Sequence, residues 1–543
     1  MLALAALTVT ASPGHASRGE PQSAIRDYVQ ARAADADGRL AEAARGYAAA
    51  MARNPADPML AQRSYRQAMG AGDRTLALAA ARRLDALGAL PPDGRLLILS
   101  AAVRDRDWKA ADAAIEAIAR EKAFGFLLPA LRAWVALGSG RGDPVAILDA
   151  GGGGALGAVY AGEQRAFLLL AGKRTAEAIP ALRAQFALAA GRQVRLRLAA
   201  AATLRSRGKR AEALAMLEDG APEAAIGRAR IVAGKALPGA IDDPASGIAE
   251  LLVRVAIDMN RERVTPVALS LARTATFLAP DNAESWLVTA ELLQAAGRYA
   301  AASAALDEVA ANDPLAGSAR NARLSLLVRQ GDHAAALAAA EAVTALPGAG
   351  AADWIRVGDV RAALGRSRDA AEAYGRAAAL APAATRWSAW LLQGSALEEA
   401  GDWPAAKVVL EQARQAAPDQ AVILNLLGYA QLERRQNLDE AQRLIEQASR
   451  LRPDDASITD SLGWAYYLRG DAPRAIATLE RAVAGDPAQS AINEHLGDAY
   501  WSVGRRYEAR YAWVAALVGA EVADATRLRA KIDGGWTKAV AAP

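Results

Sequence analysis

Cysteine is absent from the 543 residues of this chain. Disulfides, thiolate catalysis and Cys-ligated zinc or iron–sulfur centres are therefore excluded. So is the acylated cysteine that anchors a bacterial lipoprotein. Histidine is scarce: His15, His333 and His495 are all there is. None has a His, Asp or Glu partner at a spacing typical of metal ligands, so no metal site is expected. His495, just before Leu496 and Gly497, reads as a packing or solvent-facing residue. Phe occurs five times and β-branched runs are short, which argues against strands. No uninterrupted run of ~20 strongly apolar residues occurs, so no membrane span is expected. The glycine run Gly151–Gly154 lacks the Lys-Ser/Thr of a phosphate loop and follows no predicted strand. With no catalytic, cofactor-binding or metal-ligating constellation, the chain reads as a non-enzyme.

Neither sign of charge dominates. Lys+Arg 64 against Asp+Glu 60 leaves +4, too little to hold nucleic acid by bulk charge. Only eight of the cations are lysines. The arginine-rich stretch Arg192 to Arg210, with Arg195, Arg197, Arg205 and Arg207, alternates with Leu and Ala and reads as a solvated helix face. An RNA-reading repeat would need base-reading polar residues recurring in each unit, and none recur.

What is abundant is Ala, Leu and Arg, a helix-former's composition. The length exceeds one compact core and calls for several domains or a repeat array. Residues 1–16 stand apart. Leu2 to Val9 are apolar, Ser12 and Pro13 follow, and Gly14-His15-Ala16 offers small residues. This matches the apolar and cleavage regions of a secretory signal without its basic start, and predicts a mature N-terminus near Ser17 and export to the periplasm.

From there a beat sets in. Gly463 and Gly497 stand 34 residues apart, in DSLGWAYYLRGD and EHLGDAYWSVGR, and Gly470 and Gly504 keep the same interval. So do Gly297, Gly331 and Gly365, and Gly38 and Gly72. Such a period marks a helical array in which each unit needs its neighbours to bury its apolar face. Roughly thirteen to fifteen antiparallel helix pairs and no sheet are predicted from that period.

Each residue type has a mechanical reason. Gly358, Gly394, Gly428, Gly463 and Gly497 on first helices let a second helix approach closely. Gly365, Gly401, Gly470 and Gly504 between helices suit a left-handed cap. Pro382, Pro418, Pro453 and Pro487 stop second helices. Ala406, Leu410 and Ala413 share one stripe, as do Ala475, Leu479 and Ala482. One unit carries an extra residue in its turn near Asn437.

These residues resemble the tetratricopeptide repeat (TPR) family. The resemblance implies an all-α fold, an α-solenoid of TPR-like antiparallel helix pairs forming a right-handed superhelix. It divides the chain into a signal remnant at 1–16, N-terminal repeats at 21–125, irregular helical repeats with Gly-rich breaks at 126–247, a regular array at 248–520, and a polar capping helix and tail at 521–543. The succession from LNLLGYAQLERRQ to INEHLGDAYWSVGRRYEAR is also similar to proteobacterial cell-envelope TPR proteins. Some of these are adaptors of periplasmic C-terminal-processing proteases. This chain departs from them in lacking the lipid-anchoring cysteine.

On a TPR-like layout, Tyr429, Trp464, Tyr467 and Trp501 fall on the first-helix face that lines the concave groove. Asp460, Glu494 and Asp498 share it. Two readings stand side by side: the rings pack against neighbouring first helices, or they are anchors of a peptide groove with an acidic rim. A basic or apolar extended segment suits the second. The expected function is a non-catalytic scaffold or adaptor binding protein partners, an envelope protease or assembly machinery among them, at the periplasmic side of the cell envelope. A cytoplasmic TPR assembly factor and an adaptor that activates a periplasmic processing protease remain alternatives. No cofactor is expected.

Overall fold

Asp455 shows how one unit is written into the chain. Its carboxylate accepts from the backbone N–H groups of Ser457 and Ile458, at 3.1 and 3.2 Å, and starts the helix Ala456–Leu468. Gly470, at φ +80°, turns the chain in the left-handed region, where a Cβ would be strained. Asp471 then caps Ala472–Gly485 by accepting from the Arg474 N–H, with Pro473 in the first turn, where its missing N–H costs nothing. The next unit begins at Ser490–Ser502.

Repeated along the chain, this produces an all-α protein. The computed structural model describes residues 20–189, 191–218, 220–345 and 349–542. The expected signal remnant 1–16, His15 included, and the cleavage point at Ser17 lie outside them. Thirty α-helices and two 3-10 turns follow one another among the described residues, with no strand. Sequence neighbours pair as antiparallel hairpins.

The crossing glycines do what their spacing demands. A Cβ on Gly463 would stand 2.6 Å from Leu479 Cγ, and one on Gly497 would stand 2.4 Å from the Trp513 ring. Gly358 meets Tyr374 and Gly394 meets Leu410 in the same way. Gly428 instead meets Ile445, one residue further on, because its turn holds the extra residue. That turn has no glycine. Arg435 and Asn437 take the left-handed positions, at φ +50° and +47°. The stripes Ala406/Leu410/Ala413 and Ala475/Leu479/Ala482 are fully buried.

The chain forms two compact units, one ending at Gln330 and the other starting at Gly331. The division falls inside residues 248–520. In the first unit the N-terminal repeats do not meet sequence neighbours alone. Tyr65 Oη lies 3.2 Å from Ser270 Oγ, Arg273 donates to the Met69 and Gly70 carbonyls, and Leu40 packs with Ala290 and Leu293.

The arginine-rich stretch corrects the solvated-face reading. The helix Gln193–Ser206 is enclosed within the first unit. Arg192 sits among three carboxylates: Glu163 at 3.0 Å, Glu284 at 2.8 Å, and Glu250. Arg195 holds the other oxygen of Glu250 at 2.8 Å and donates to the Gly239 carbonyl. Burial pushes the Glu163 carboxyl above its usual range; Arg192 opposes the push and Glu250 adds to it. Arg205, Arg207 and Arg210 instead donate to the backbone carbonyls of Gly234, Ala171 and Val232. Guanidinium groups are so placed because helix ends and glutamates of neighbouring pairs converge on them. Leu and Ala between the arginines gave no sign of that.

Candidate functional site

In the second unit, four first helices stand side by side: Arg386–Glu399, Ala421–Glu433, Ala456–Leu468 and Ser490–Ser502. They line a pocket of about 500 Å³. Leu391, Leu392, Val422 and Leu426 form its apolar wall, and Tyr429, Asp460 and His495 its polar end. Burial, and then the carboxylates of Glu433 and Asp460, push the Tyr429 phenol far above its usual range.

Asp460 and His495, one repeat apart, are partners. His495 Nδ1 lies 2.9 and 3.0 Å from the two carboxylate oxygens of Asp460. Burial works against a charged imidazole here. Asp460 outweighs it, helped by Asp498 and Glu494, and the His495 pKa stands above its ordinary value. His495 therefore packs, as expected, but with an acidic partner that sequence spacing did not disclose.

The imidazole also stacks on Trp464, with ring centroids 4.1 Å apart, and Trp464 stacks on Tyr467 at 4.6 Å, both at 16°. The Trp464 ring is 4% exposed, so its faces serve packing first. Its indole Nε1 is buried without a hydrogen-bond partner. Tyr467 remains half-buried, and burial with the nearby Asp498 carboxylate pushes its phenol up to about 12. Trp501 is half-buried. It tilts against Trp513 at 5.4 Å and lies under the Arg506 guanidinium at 4.4 Å.

The acids do not form a rim. Glu494 and Asp498 are buried beneath the last helix, Val522–Gly534. Lys531, fully buried, reaches Glu494 at 2.7 Å and both oxygens of Asp498 at 2.7 and 2.8 Å. Arg527 grips Glu494 through two bonds, at 2.9 and 2.7 Å. Trp513 donates to Asp498 from the other side at 2.9 Å. Burial opposes ionisation of both acids. Arg527 and Lys531 win at Glu494, whose pKa falls, while at Asp498 burial prevails over Lys531 and the pKa rises. The closing helix is thus no merely polar cap. Leu528 and Lys531 on its inner face are both fully buried.

Beyond it the chain turns at Gly535 and runs back to the first-helix face. Trp536, Ala541 and Ala542 form one wall of a second cavity, of about 530 Å³. Trp464, Tyr467, Leu432, Glu433 and Arg435 form the other. The expected site residues thus divide. Tyr429 and Asp460 line the first cavity, and Trp464 and Tyr467 the second. Glu494 and Asp498 join the ion cluster, and Trp501 stands against Gly535. Sequence reasoning missed Lys531, Arg527, Trp536 and Glu433. A lysine on the closing helix, spaced four residues from Arg527, was the available signal. Among the described residues no three His, Asp or Glu side chains are arranged to hold a metal ion, and no helix is long and apolar enough to cross a membrane.

A family model described as a tetratricopeptide repeat matches residues 287–350 and 425–490. No curated protein matches the chain. Among solved structures, a thermophilic TPR protein of Thermus thermophilus is 23% identical, covering 34% of this chain and 98% of its own at a TM-score of 0.30. A tetratricopeptide repeat protein from Parabacteroides merdae is 15% identical, covering 45% and 96% at a TM-score of 0.38. YrrB, a TPR protein with an unusual peptide-binding site, is 18% identical, covering 31% and 84% at a TM-score of 0.25. The described residues thus form an all-α array of helix pairs, and its segments 287–350 and 425–490 match tetratricopeptide repeats.

Proposed function

We propose that this protein is a non-catalytic scaffold whose second unit binds an extended segment of a partner protein along its first helices. The observation that carries the reading is the pocket of about 500 Å³ to which four successive first helices contribute. Its wall is apolar, its polar end holds the Asp460–His495 pair, and Glu433 adjoins that end at the Tyr429 hydroxyl. Burial, then Glu398, raises the Glu433 carboxyl above its usual range, against the Tyr429 hydroxyl and Arg434. A cation on the ligand would relieve that crowding. An apolar segment with a flanking Lys or Arg therefore fits best, main-chain contacts adding affinity and side-chain pockets selectivity.

A photo-crosslinking residue at Val422, in the pocket, and one at Val408, exposed on the preceding second helix, test this in the native cell. Adducts at Val422 and not at Val408, weakened several-fold by Glu433→Lys, are expected. Equal adducts at both positions, or none at Val422, would end the reading.

The same proposal places the protein at the periplasmic side of the cell envelope. Its support is the apolar Leu2 to Val9 followed by Gly14-His15-Ala16. An alkaline-phosphatase fusion begun upstream should be active. A fusion inactive from every upstream start would favour the cytoplasmic alternative.

A further inference from the structure

The chain after the closing helix behaves as an occupant of the first-helix face. Gly535 is buried at φ +84°, and a Cβ there would stand 2.3 Å from the Trp501 ring. Only glycine can make this turn against this wall. The segment that follows is tethered at both ends to one carboxylate. Trp536 Nε1 donates to Asp498 Oδ2 at 3.1 Å, and the Ala542 N–H donates to the same oxygen at 3.3 Å.

The occupancy is incomplete. Between the segment and the first helices a cavity of about 530 Å³ stays open. Trp464 lines it, and the Trp464 indole N–H is buried with nothing to donate to. A buried donor without an acceptor is unfavourable. The residues that could fill the space are small: Ala539, Ala541 and Ala542.

We propose that residues 535–542 are a built-in ligand of the C-terminal end of the groove, displaced by a partner segment of the same class. That segment turns as Lys538–Val540 do and carries an indole N–H for Asp498 between small neighbours. The proposal rests on the groove reading and adds a second subsite that residues 535–542 partly cover in the resting protein. A tethered segment competes at an effective concentration on the order of millimolar, so few contacts suffice to keep the site closed against dilute, weak ligands.

The test uses a fluorescent peptide of residues 535–542, titrated by anisotropy against the full chain and against a chain ending at Gly534. The truncated chain should bind the peptide at least ~10-fold more tightly, since the tethered competitor is gone. Trp536→Ala in the peptide should abolish binding. Trp536→Ala in the full chain should open the site to the parent peptide, which keeps the test valid if the truncated chain fails to fold. Equal affinity for open and closed proteins, or no binding to a folded open one, would overturn the proposal. Loss here with adducts still forming at Val422 leaves the groove reading standing. Peptide binding here without adducts at Val422 overturns the groove reading alone.

Discussion

Lys531 Nζ lies 2.7 Å from Asp498 Oδ1, and neither side chain reaches solvent. A lysine on the closing helix therefore completes an anion site on the last first-helix. Breaking such a buried pair from one side typically costs about 3–5 kcal/mol, because the abandoned charge stays buried. Lys531→Met should lower stability by about that amount. Adding Asp498→Asn should cost less than the sum of the two single changes, as for any coupled pair. Chemical denaturation of the four proteins in the cycle measures this, and additive losses would mean that the two groups do not depend on each other.

His495 and Asp460 make the second unit sensitive to pH. The His495 pKa is raised in the folded state above an unfolded value of about 6.5. Its contribution is therefore full below about pH 6.5 and is lost as pH rises through the folded value. The melting-temperature gap between the parent and His495→Gln should be wider at pH 6 than at pH 9. A gap that widens towards pH 9 would contradict the pairing.

The crossing glycines are separable from ordinary helical glycines. Gly463→Ala would press a methyl against Leu479 at 2.6 Å, whereas Gly534 has nothing within 4 Å of an added Cβ. The first change should destabilise by about 1–3 kcal/mol through overpacking. The second should be neutral or gain up to about 1 kcal/mol from helix propensity. Ala475→Leu, at another fully buried crossing position, should behave like Gly463→Ala. Thermal melts of the three variants give the comparison.

Glu250 ties together the first unit. It receives Arg192, Arg195 and the Asn282 amide. Glu250→Gln should cost about 3–5 kcal/mol by leaving two buried guanidinium groups short of charge. Hydrogen exchange should rise across Gln193–Ser206, an enclosed helix. Slow exchange there with an unchanged melt would show that Glu163 and Glu284 suffice.

Trp464 and Trp501 differ in consequence, although they sit one period plus three residues apart on equivalent helices. Trp464 is 4% exposed and stacked on two rings; Trp501 is half-buried beneath Arg506. Trp464→Ala should cost about 3–5 kcal/mol, as for a core aromatic. Trp501→Ala should cost less. Equal losses in denaturation would place both rings in the core.

Much of the second unit's scaffold was legible because its rules are local. Gly463 and Leu479 are 16 residues apart, and helix rise, turn length and the left-handed Gly470 bring them together whatever surrounds them. The shift to Ile445 opposite Gly428 follows from counting one added residue. The site was only half legible. That Trp464, Asp460 and Asp498 share a face followed from the repeat, but whether that face was open did not.

The sequence by itself determined the helix pairs, their caps, their crossings and the face on which the aromatics and acids stand, since each depends on residues within one or two turns or one hairpin. Only the tertiary structure decided which charges are partners. Asp498 meets Lys531, Asp460 meets His495, and Arg192 meets Glu163, Glu250 and Glu284. It also decided that the segment after Gly535 returns to the groove. These contacts join residues from neighbouring or distant pairs. A carboxylate or guanidinium carries the same letter whether water or an opposite charge surrounds it, so the packing of helices onto one another had to settle the difference.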